Sequence, residues 1–516
     1  MTPVATGATP VLPGLYPDPS VCRVGSLYYL VNSTFHYQPG LPLHSSTDLV
    51  TWHQLGNVVT GELIDLREAP DSGGLYAPTI RHHRGVFYIV CTVVGTPTGA
   101  GSFYTSATDP AGPWSAPVFL PDAVGMDPDL FFDGDDAWWA GCRLVEHGEY
   151  EGQTEIWLRR LDLNDERLVG QEFVIWNGAV KGGVWSEGPH LYKRDGWFYL
   201  LTAEGGTEGN HSVVVARSRS ITGPYEGCPR NPVFTHRNLG TDYPVQCVGH
   251  ADLVENADGN WFALLLGTRP ASGHTLLGRE TFAVPVAWEQ GWPVFNPGVG
   301  MLSDALREER GTGVEPFSYH LDLTGATAPD GGWLAPRSNP RLGAPSERGL
   351  PLLGGPDVND AGESGFVGRR LAHHGVDITA IVVPPDDLAA RAEFGLLFLQ
   401  NSSHNARLAV TLEHGTASCA VVETAGGVST VVAQSSVPVD DGGRAGMSLI
   451  GRLSGDNVEF RLAHRGSVTT IGVADARILS TETAGGFIGS LVGPYFTTSS
   501  GGPLHLAAFS YEVPRS

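Results

Sequence analysis

Short apolar runs alternate with polar turns along the first 300 or so residues, and the runs recur with one internal pattern. A Pro- or His-containing motif is followed, a few residues later, by aromatics in an apolar stretch. Asp18-Pro19-Ser20-Val21 leads to Tyr28-Tyr29-Leu30-Val31, and Ala77-Pro78-Thr79-Ile80 to Phe87-Tyr88-Ile89-Val90. Asp127-Pro128-Asp129-Leu130 leads to Trp138-Trp139, and Gly188-Pro189-His190-Leu191 to Trp197-Phe198-Tyr199-Leu200. The fifth unit runs from His250-Ala251-Asp252-Leu253 to Trp261-Phe262-Ala263-Leu264. The repeat length, roughly 50–60 residues, suits a blade of four antiparallel strands. A second element recurs in phase: "HSSTDLVTWHQLG" from His44, "YTSATDPAGPWSAP" from Tyr104 and "ARSRSITGPYEGCP" from Ala216. Each reads as a strand end, a polar turn and an aromatic that opens the next strand. Five such units close a ring, which hides sheet edges. A five-bladed β-propeller is therefore expected over residues 1–305, the competing reading being a β-sandwich with accidental similarity.

The pattern changes after about residue 300. Beyond Trp292 the only tryptophan is Trp333. "LREERGTGVEP", residues 306–316, is charged and contains Gly, and reads as a linker. Beyond it, runs such as "AEFGLLFLQ", "ARLAVTLEHG", "SVTTIGVADAR" and "HLAAFSYEV" alternate as strands do, with no long helical period. A C-terminal β-sandwich over 317–516 is expected, making the whole chain all-β.

Composition narrows the functions. With 41% hydrophobic and 17% charged residues, the chain has enough apolar surface to fold. Its 55 acidic and 32 basic residues leave a net charge of −23, which disfavours nucleic acid and anionic membrane surfaces and suits a neutral, polar ligand. The only lysines, Lys181 and Lys193, follow no Gly-rich loop, so a phosphate-cradling loop is excluded. Cys22, Cys91, Cys142, Cys228, Cys247 and Cys419 form no C-x-x-C pair, which leaves free buried thiols as the expectation. The N-terminus shows no basic patch followed by an apolar core, and no run approaches a membrane span. A cytoplasmic location is expected.

In a propeller the first strand of each blade lines the central channel. Aligning the repeats puts Asp18, Ala77, Asp127, Gly188 and His250 at one position, with Glu187 next to Gly188. Three carboxylates then converge from distant parts of the chain. Crowded carboxylates separate in pKa, one ionised and another protonated. Acid–base hydrolysis of a glycosidic bond needs that division. Any one Asp-Pro taken alone reads as an Asx turn; three carboxylates in phase do not. Three readings of His250 stand open: a partner for a carboxylate, a metal ligand, or a satisfied core residue.

These residues carry a resemblance. "YPDPS", "MDPDLFFD", "WSEGPHLYKRDGWFYLLTAEGGT", "QCVGHADLV" and "LGRETF", in this order, resemble the motif set of glycoside hydrolase family 43. The two-domain β-xylosidases and α-L-arabinofuranosidases are the nearest in arrangement. The resemblance spans nearly the whole chain and implies a propeller with an appended sandwich and an inverting mechanism. It implies that Asp18 is the general base, Glu187 the general acid, and Asp127 the carboxylate that orients the acid and raises its pKa. Asp129 reads as a turn residue. Arg279 matches an arginine that contacts the sugar, Phe35 an aromatic wall, and His250 a channel histidine that some relatives associate with a divalent cation such as calcium. No cofactor is otherwise implied. Many relatives have Trp-Ala-Pro where this chain has Tyr76-Ala77-Pro78, so Tyr76 would stack on the sugar in a pocket of different width. "GGFIGSLVGPYF", from Gly485, resembles a sandwich segment that leans toward the pocket mouth.

The leading expectation is an exo-acting enzyme that releases terminal β-D-xylose or α-L-arabinofuranose from small oligosaccharides. A carbohydrate-binding propeller without catalysis is a competing class, although it has no use for a matched acid and base. A retaining, fructose-releasing propeller is another, which "SEGPH" and "LGRET" fit poorly. Neither a G-x-S-x-G elbow nor an H-E-x-x-H motif occurs. Nothing in the sequence indicates an oligomeric state.

Overall fold

The computed structural model of the protein describes residues 8–97, 99–312, 317–325, 330–358, 364–389, 391–439 and 445–514. Five antiparallel sheets succeed one another through the first part of the chain. The first blade is Ser20–Val24, Leu27–Val31, Gly40–Ser46 and His53–Val59. The second is Thr79–His83, Val86–Val94, Gly101–Ala107 and Val118–Phe119, with the short Gly74–Leu75 strand added. Met126–Asp133, Asp136–Leu144, Thr154–Asp162 and Arg167–Trp176 form the third. Glu187–Arg194, Trp197–Glu204, Ser212–Ser218 and Glu226–Gly227 form the fourth. Gln246–Glu255, Trp261–Thr268, Arg279–Glu289 and Trp292–Phe295 form the fifth. The aromatic runs seen in the sequence are the second strands, and their rings fill the space between blades. Trp139, for example, is fully buried with Val90 and Tyr104 of the preceding blade and with Trp157 of the adjoining strand. The N-terminal segment closes the ring: Val11 N–H donates to Thr281 O, and Tyr16 N–H to Arg279 O.

The floor of the channel is a buried ion network. Asp129 and Asp252, in the inner strands of blades three and five, have fully buried side chains. Arg81, from blade two, donates to Asp129 Oδ1 at 2.7 Å and to Asp252 Oδ2 at 2.9 Å, and lies 3.0 Å from His190 Nδ1 of blade four. Ser20 of blade one donates to Asp252 Oδ2 at 2.7 Å, and Tyr192 donates to Oδ1. All five inner strands are thus tied to one guanidinium. Asp129 is therefore not a turn residue, as its Asp-Pro context suggested. Residues two places beyond the aligned motif position — Ser20, Asp129, His190 and Asp252 — fall on the channel side of their strands, because alternate residues share a face.

The second unit is a two-sheet sandwich. One sheet orders Tyr319–Asp322, Leu504–Glu512, Gly375–Val383, Met447–Ser454, Asn457–His464 and Ser467–Asp475, with Leu350–Leu352 also paired to Leu504–Glu512. The other orders Arg369–Arg370, Leu491–Thr497, Glu393–Asn401, His404–Glu413, Thr416–Ala425 and Val428–Pro438. Period-two burial is plain in Gly375–Val383, where Val376, Ile378, Ala380 and Val382 are all fully buried. No helix of the described residues is long and apolar enough to cross a membrane.

Part of the expected linker belongs to the propeller. Ala305–Arg310 is a short helix whose Leu306 is 2% exposed, packed with Leu12, Leu30 and Leu264. Its charged neighbours hid this one apolar anchor in the sequence. Gly311 ends the helix in the left-handed region, and residues 313–316 lie outside the described residues. The chain then returns to the propeller, since Ala335–Pro336 pairs with Tyr37–Gln38 of blade one. Tyr37 O–H reaches Gln400 O at 3.0 Å, and Arg370 Nε reaches Leu15 O at 2.7 Å. Leu15, Phe35 and Tyr37 share an apolar core with Leu397, Leu399, Leu491 and Tyr495, so the two units are packed as one body.

Removing Arg81 strands two buried carboxylates. Arg81→Leu is expected to destabilise the protein by about 3–5 kcal/mol, the usual cost of breaking a buried ion pair from one side. Urea unfolding followed by tryptophan fluorescence checks this; a loss under about 1 kcal/mol would mean that the channel acids are held by other partners.

Candidate active site

One end of the channel opens into a pocket of about 690 Å³ lined by all seven candidate residues: Asp18, Phe35, Tyr76, Asp127, Glu187, His250 and Arg279. The backbone explains how repeats deliver different groups to one place. Asp18, Asp127, Gly188 and His250 all have φ between 48° and 56°, the left-handed region. The pairing register shifts just after this point in blades three, four and five. Such a bulge turns a side chain out of the sheet and into the funnel. In blade four the aligned position must be glycine. A Cβ on Gly188 would sit 2.8 Å from His250 Cε1 and would be strained at φ 56°. The carboxylate of that blade therefore comes from the preceding residue, Glu187.

The three carboxyl groups are held in different states. Asp18 accepts from Ser33 Oγ at 2.6 Å and from Arg279 Nη1 at 2.9 Å. Burial alone would raise its pKa, but its partners, Arg279 foremost, reverse this, and the carboxyl ends below its ordinary value. Among the described residues Glu187 has no such hydrogen-bond partner. Burial, then the nearby charges of Asp127 and Asp18, hold its carboxyl well above the carboxylate range. Asp127 is raised to about 7 by burial and by Asp18, against the N–H of Gly188 that it accepts. The pocket thus holds one carboxyl group pushed down and two pushed up.

Aromatic groups form the walls. Phe35 and Tyr76 meet edge to face with ring centroids 5.4 Å apart. The Arg279 guanidinium lies 5.2 Å from the Phe35 ring centroid and also donates to Thr207 Oγ1 at 3.1 Å. Phe487 comes from the sandwich and lines the same pocket. Its N–H is held by Ser72 Oγ at 3.0 Å, and its O accepts from Arg279 Nη2 at 3.4 Å. The sandwich segment that begins at Gly485 does reach the pocket. Gly486 allows it, since a Cβ there would lie 2.2 Å from Ser72 Oγ.

His250 does not sit in a metal cage. Its Nδ1 faces Asp18 Oδ1 at 3.7 Å, and burial lowers its pKa to about 4, so the imidazole is neutral. Among the described residues no group of three His, Cys, Asp or Glu side chains is arranged to hold a metal ion. The cation that serves the channel floor is Arg81. Among the described residues, side chains alone supply no such set at His250.

The sequence reading missed Ser33, Thr207, Trp185 and Glu208, which orient or line the site. A serine or threonine beside a strand carries no local signal. Asp252 and Arg81 had one: they sit on the channel side of two repeat motifs.

Comparison with known proteins agrees with this geometry. Residues 8–293 match the glycosyl hydrolases family 43, and residues 333–512 match the beta xylosidase C-terminal concanavalin A-like domain. A xylosidase/arabinosidase of Butyrivibrio fibrisolvens is 51% identical over 301 residues, 58% of this chain and 58% of that protein. A non-reducing end alpha-L-arabinofuranosidase of Bacteroides ovatus is 32% identical over 95% of this chain and 91% of its own length. Among solved structures, a xylan beta-1,4-xylosidase of Bacillus halodurans superposes with a TM-score of 0.87 at 28% identity, covering 98% of this chain and all of that one. With family matches over both units and the same two-unit fold, this chain belongs to glycosyl hydrolase family 43 and is a glycoside hydrolase.

Proposed function

We propose that the protein is an exo-acting, inverting pentosidase that releases terminal β-D-xylose or α-L-arabinofuranose from xylo- or arabinoxylo-oligosaccharides. The observation that carries the proposal is one pocket in which Asp18 is paired with Arg279 and Ser33 while Glu187, buried beside Asp127 and Asp18, is pushed toward its protonated form. A water lodged between Asp18 and the sugar is deprotonated as it attacks the anomeric carbon. Arg279 and Ser33 fix the Asp18 oxygens, so the accepting lone pair is aimed before substrate arrives. Glu187 gives its proton to the departing glycosidic oxygen from the opposite face, and configuration inverts. Asp127 is the electrostatic regulator of this acid. Phe35, Tyr76 and Phe487 enclose the sugar, and a wall contributed by the sandwich suits removal of one terminal unit. The names of the relatives support a pentose as that unit.

Product analysis on xylobiose, an arabinoxylan oligosaccharide and linear arabinan tests the proposal. Free xylose or arabinose should accumulate from the first time point; release only of longer fragments would overturn the exo reading.

Asp18→Asn should fold normally and lose about 10³-fold in turnover, the scale of a general base. The first sugar released by the wild type should show the inverted anomer by NMR. A near wild-type rate in Asp18→Asn, or retention, would remove Asp18 from this role.

Asp127→Ala should move the basic limb of the kcat/KM profile to lower pH. Below about 7 Asp127 holds a proton and adds little charge; above it, the ionised carboxylate keeps Glu187 protonated. Without Asp127, Glu187 ionises earlier and activity falls sooner as pH rises. An unmoved basic limb would mean that Asp127 does not tune the acid. The limbs belong to the coupled group, so the direction is what counts.

A further inference from the structure

Glu204 is a buried carboxylate that takes no part in the acid–base steps of Asp18 and Glu187. It ends the second strand of blade four, next to Ala203, which pairs directly with Glu187. Only 7% of it is exposed, and burial raises its pKa against several donors. Those donors all come from one stretch of chain, the crossover from the last strand of blade three to the first strand of blade four. Trp176 Nε1–H reaches Oε1 at 3.0 Å, and Ala179 N–H reaches Oε1 at 3.0 Å and Oε2 at 3.1 Å. Ser186, immediately before Glu187, donates its hydroxyl at 3.4 Å.

The carbonyls of the same crossover are held from the other side. Tyr150 O–H donates to Gly183 O at 2.9 Å, and Thr154 Oγ1 donates to Ser186 O at 2.9 Å. Gly205 N–H donates to Val184 O at 2.9 Å, and Trp185 N–H to Gly152 O at 2.8 Å. Glu204 thus accepts from Trp176, Ala179 and Ser186, while Tyr150, Thr154 and Gly205 donate to the crossover's carbonyls and Gly152 O accepts from Trp185. Trp185 has φ 52° in this segment and, with Val184, lines the pocket alongside Glu187. A non-glycine residue in that conformation persists only where its surroundings hold it.

We propose that Glu204 is a positioning residue for the general acid: by clamping the crossover of residues 176–186 it sets where the Glu187 carboxyl meets the leaving-group oxygen. The proposal rests on the reading of Glu187 as the acid. A displaced acid harms substrates in proportion to their need for protonation. A leaving group of low pKa departs with little help, whereas a sugar hydroxyl does not.

The test compares Glu204→Gln with wild type on xylobiose and on 4-nitrophenyl β-D-xyloside, with Glu187→Ala as the reference. Glu204→Gln should lose about tenfold or more in kcat on xylobiose, since ångström-scale misplacement costs up to about a hundredfold. It should stay within about threefold on the nitrophenyl substrate. Equal losses on both substrates would overturn the proposal and leave Glu204 a merely structural group. Glu187→Ala should show the same preference more strongly. If it loses both substrates equally, the acid reading itself falls, and the proposal with it. Should Glu204→Gln fail to fold, Trp176→Phe decides, because it keeps the ring and deletes one donor to Glu204. The same substrate split, in smaller measure, is expected there; its absence would overturn the clamp.

Discussion

A single guanidinium on the channel floor is the constraint on which this structure turns. Five sheets with one face toward a common axis bring together the side chains at equivalent positions, and here these include two fully buried carboxylates, Asp129 and Asp252. Two like charges in that setting would force the inner strands apart or take up protons. Arg81 bridges both, Ser20 and Tyr192 donate to Asp252, and the Leu191 N–H donates to Asp129. Because every blade contributes to the network, the five strand ends just above it are held in register. The pocket inherits its geometry from that floor.

The next layer uses charge differently. Asp18, Asp127 and Glu187 also crowd together, but only Asp18 is given a cation and a hydroxyl of its own. The other two are left to burial and mutual repulsion, which raise their pKa values. One arginine, placed on one side of a cluster of three acids, is enough to set one of them apart from the other two. The same arginine touches Phe35 and the carbonyl of Phe487, so the electrostatics and the shape of the pocket are set by one side chain.

The sandwich is part of that shape. It is joined to blade one by a two-residue strand pairing and a shared apolar core, and it delivers Phe487 to the pocket through a turn that only glycine at 486 leaves room for. The domain is therefore a wall of the site as well as a neighbour.

The sequence alone determined the repeat and, through it, the direction of the channel residues. In-phase Asp-Pro and Gly-Pro motifs before aromatic strands specify blades, and equivalent positions in blades must face one channel, so Asp18, Asp127 and Glu187 were legible as a set. Alternation likewise identified the sandwich strands. Partners that lie in other blades were not legible. Asp129 looked like a turn residue because its partner, Arg81, stands in the preceding repeat, and the pair meets only once blades two and three are packed. His250 left three readings open, and the carboxylate that it faces, Asp18 at 3.7 Å, stands in another blade. Leu306 was hidden in a charged run, since one buried apolar residue makes no period. Glu204 lay within a quoted motif, yet its burial and its donors from residues 176–186 exist only once blades three and four are packed. Periodicity along the chain encodes which way a side chain faces; which group it meets there depends on contacts between distant segments, and those form only in the folded protein.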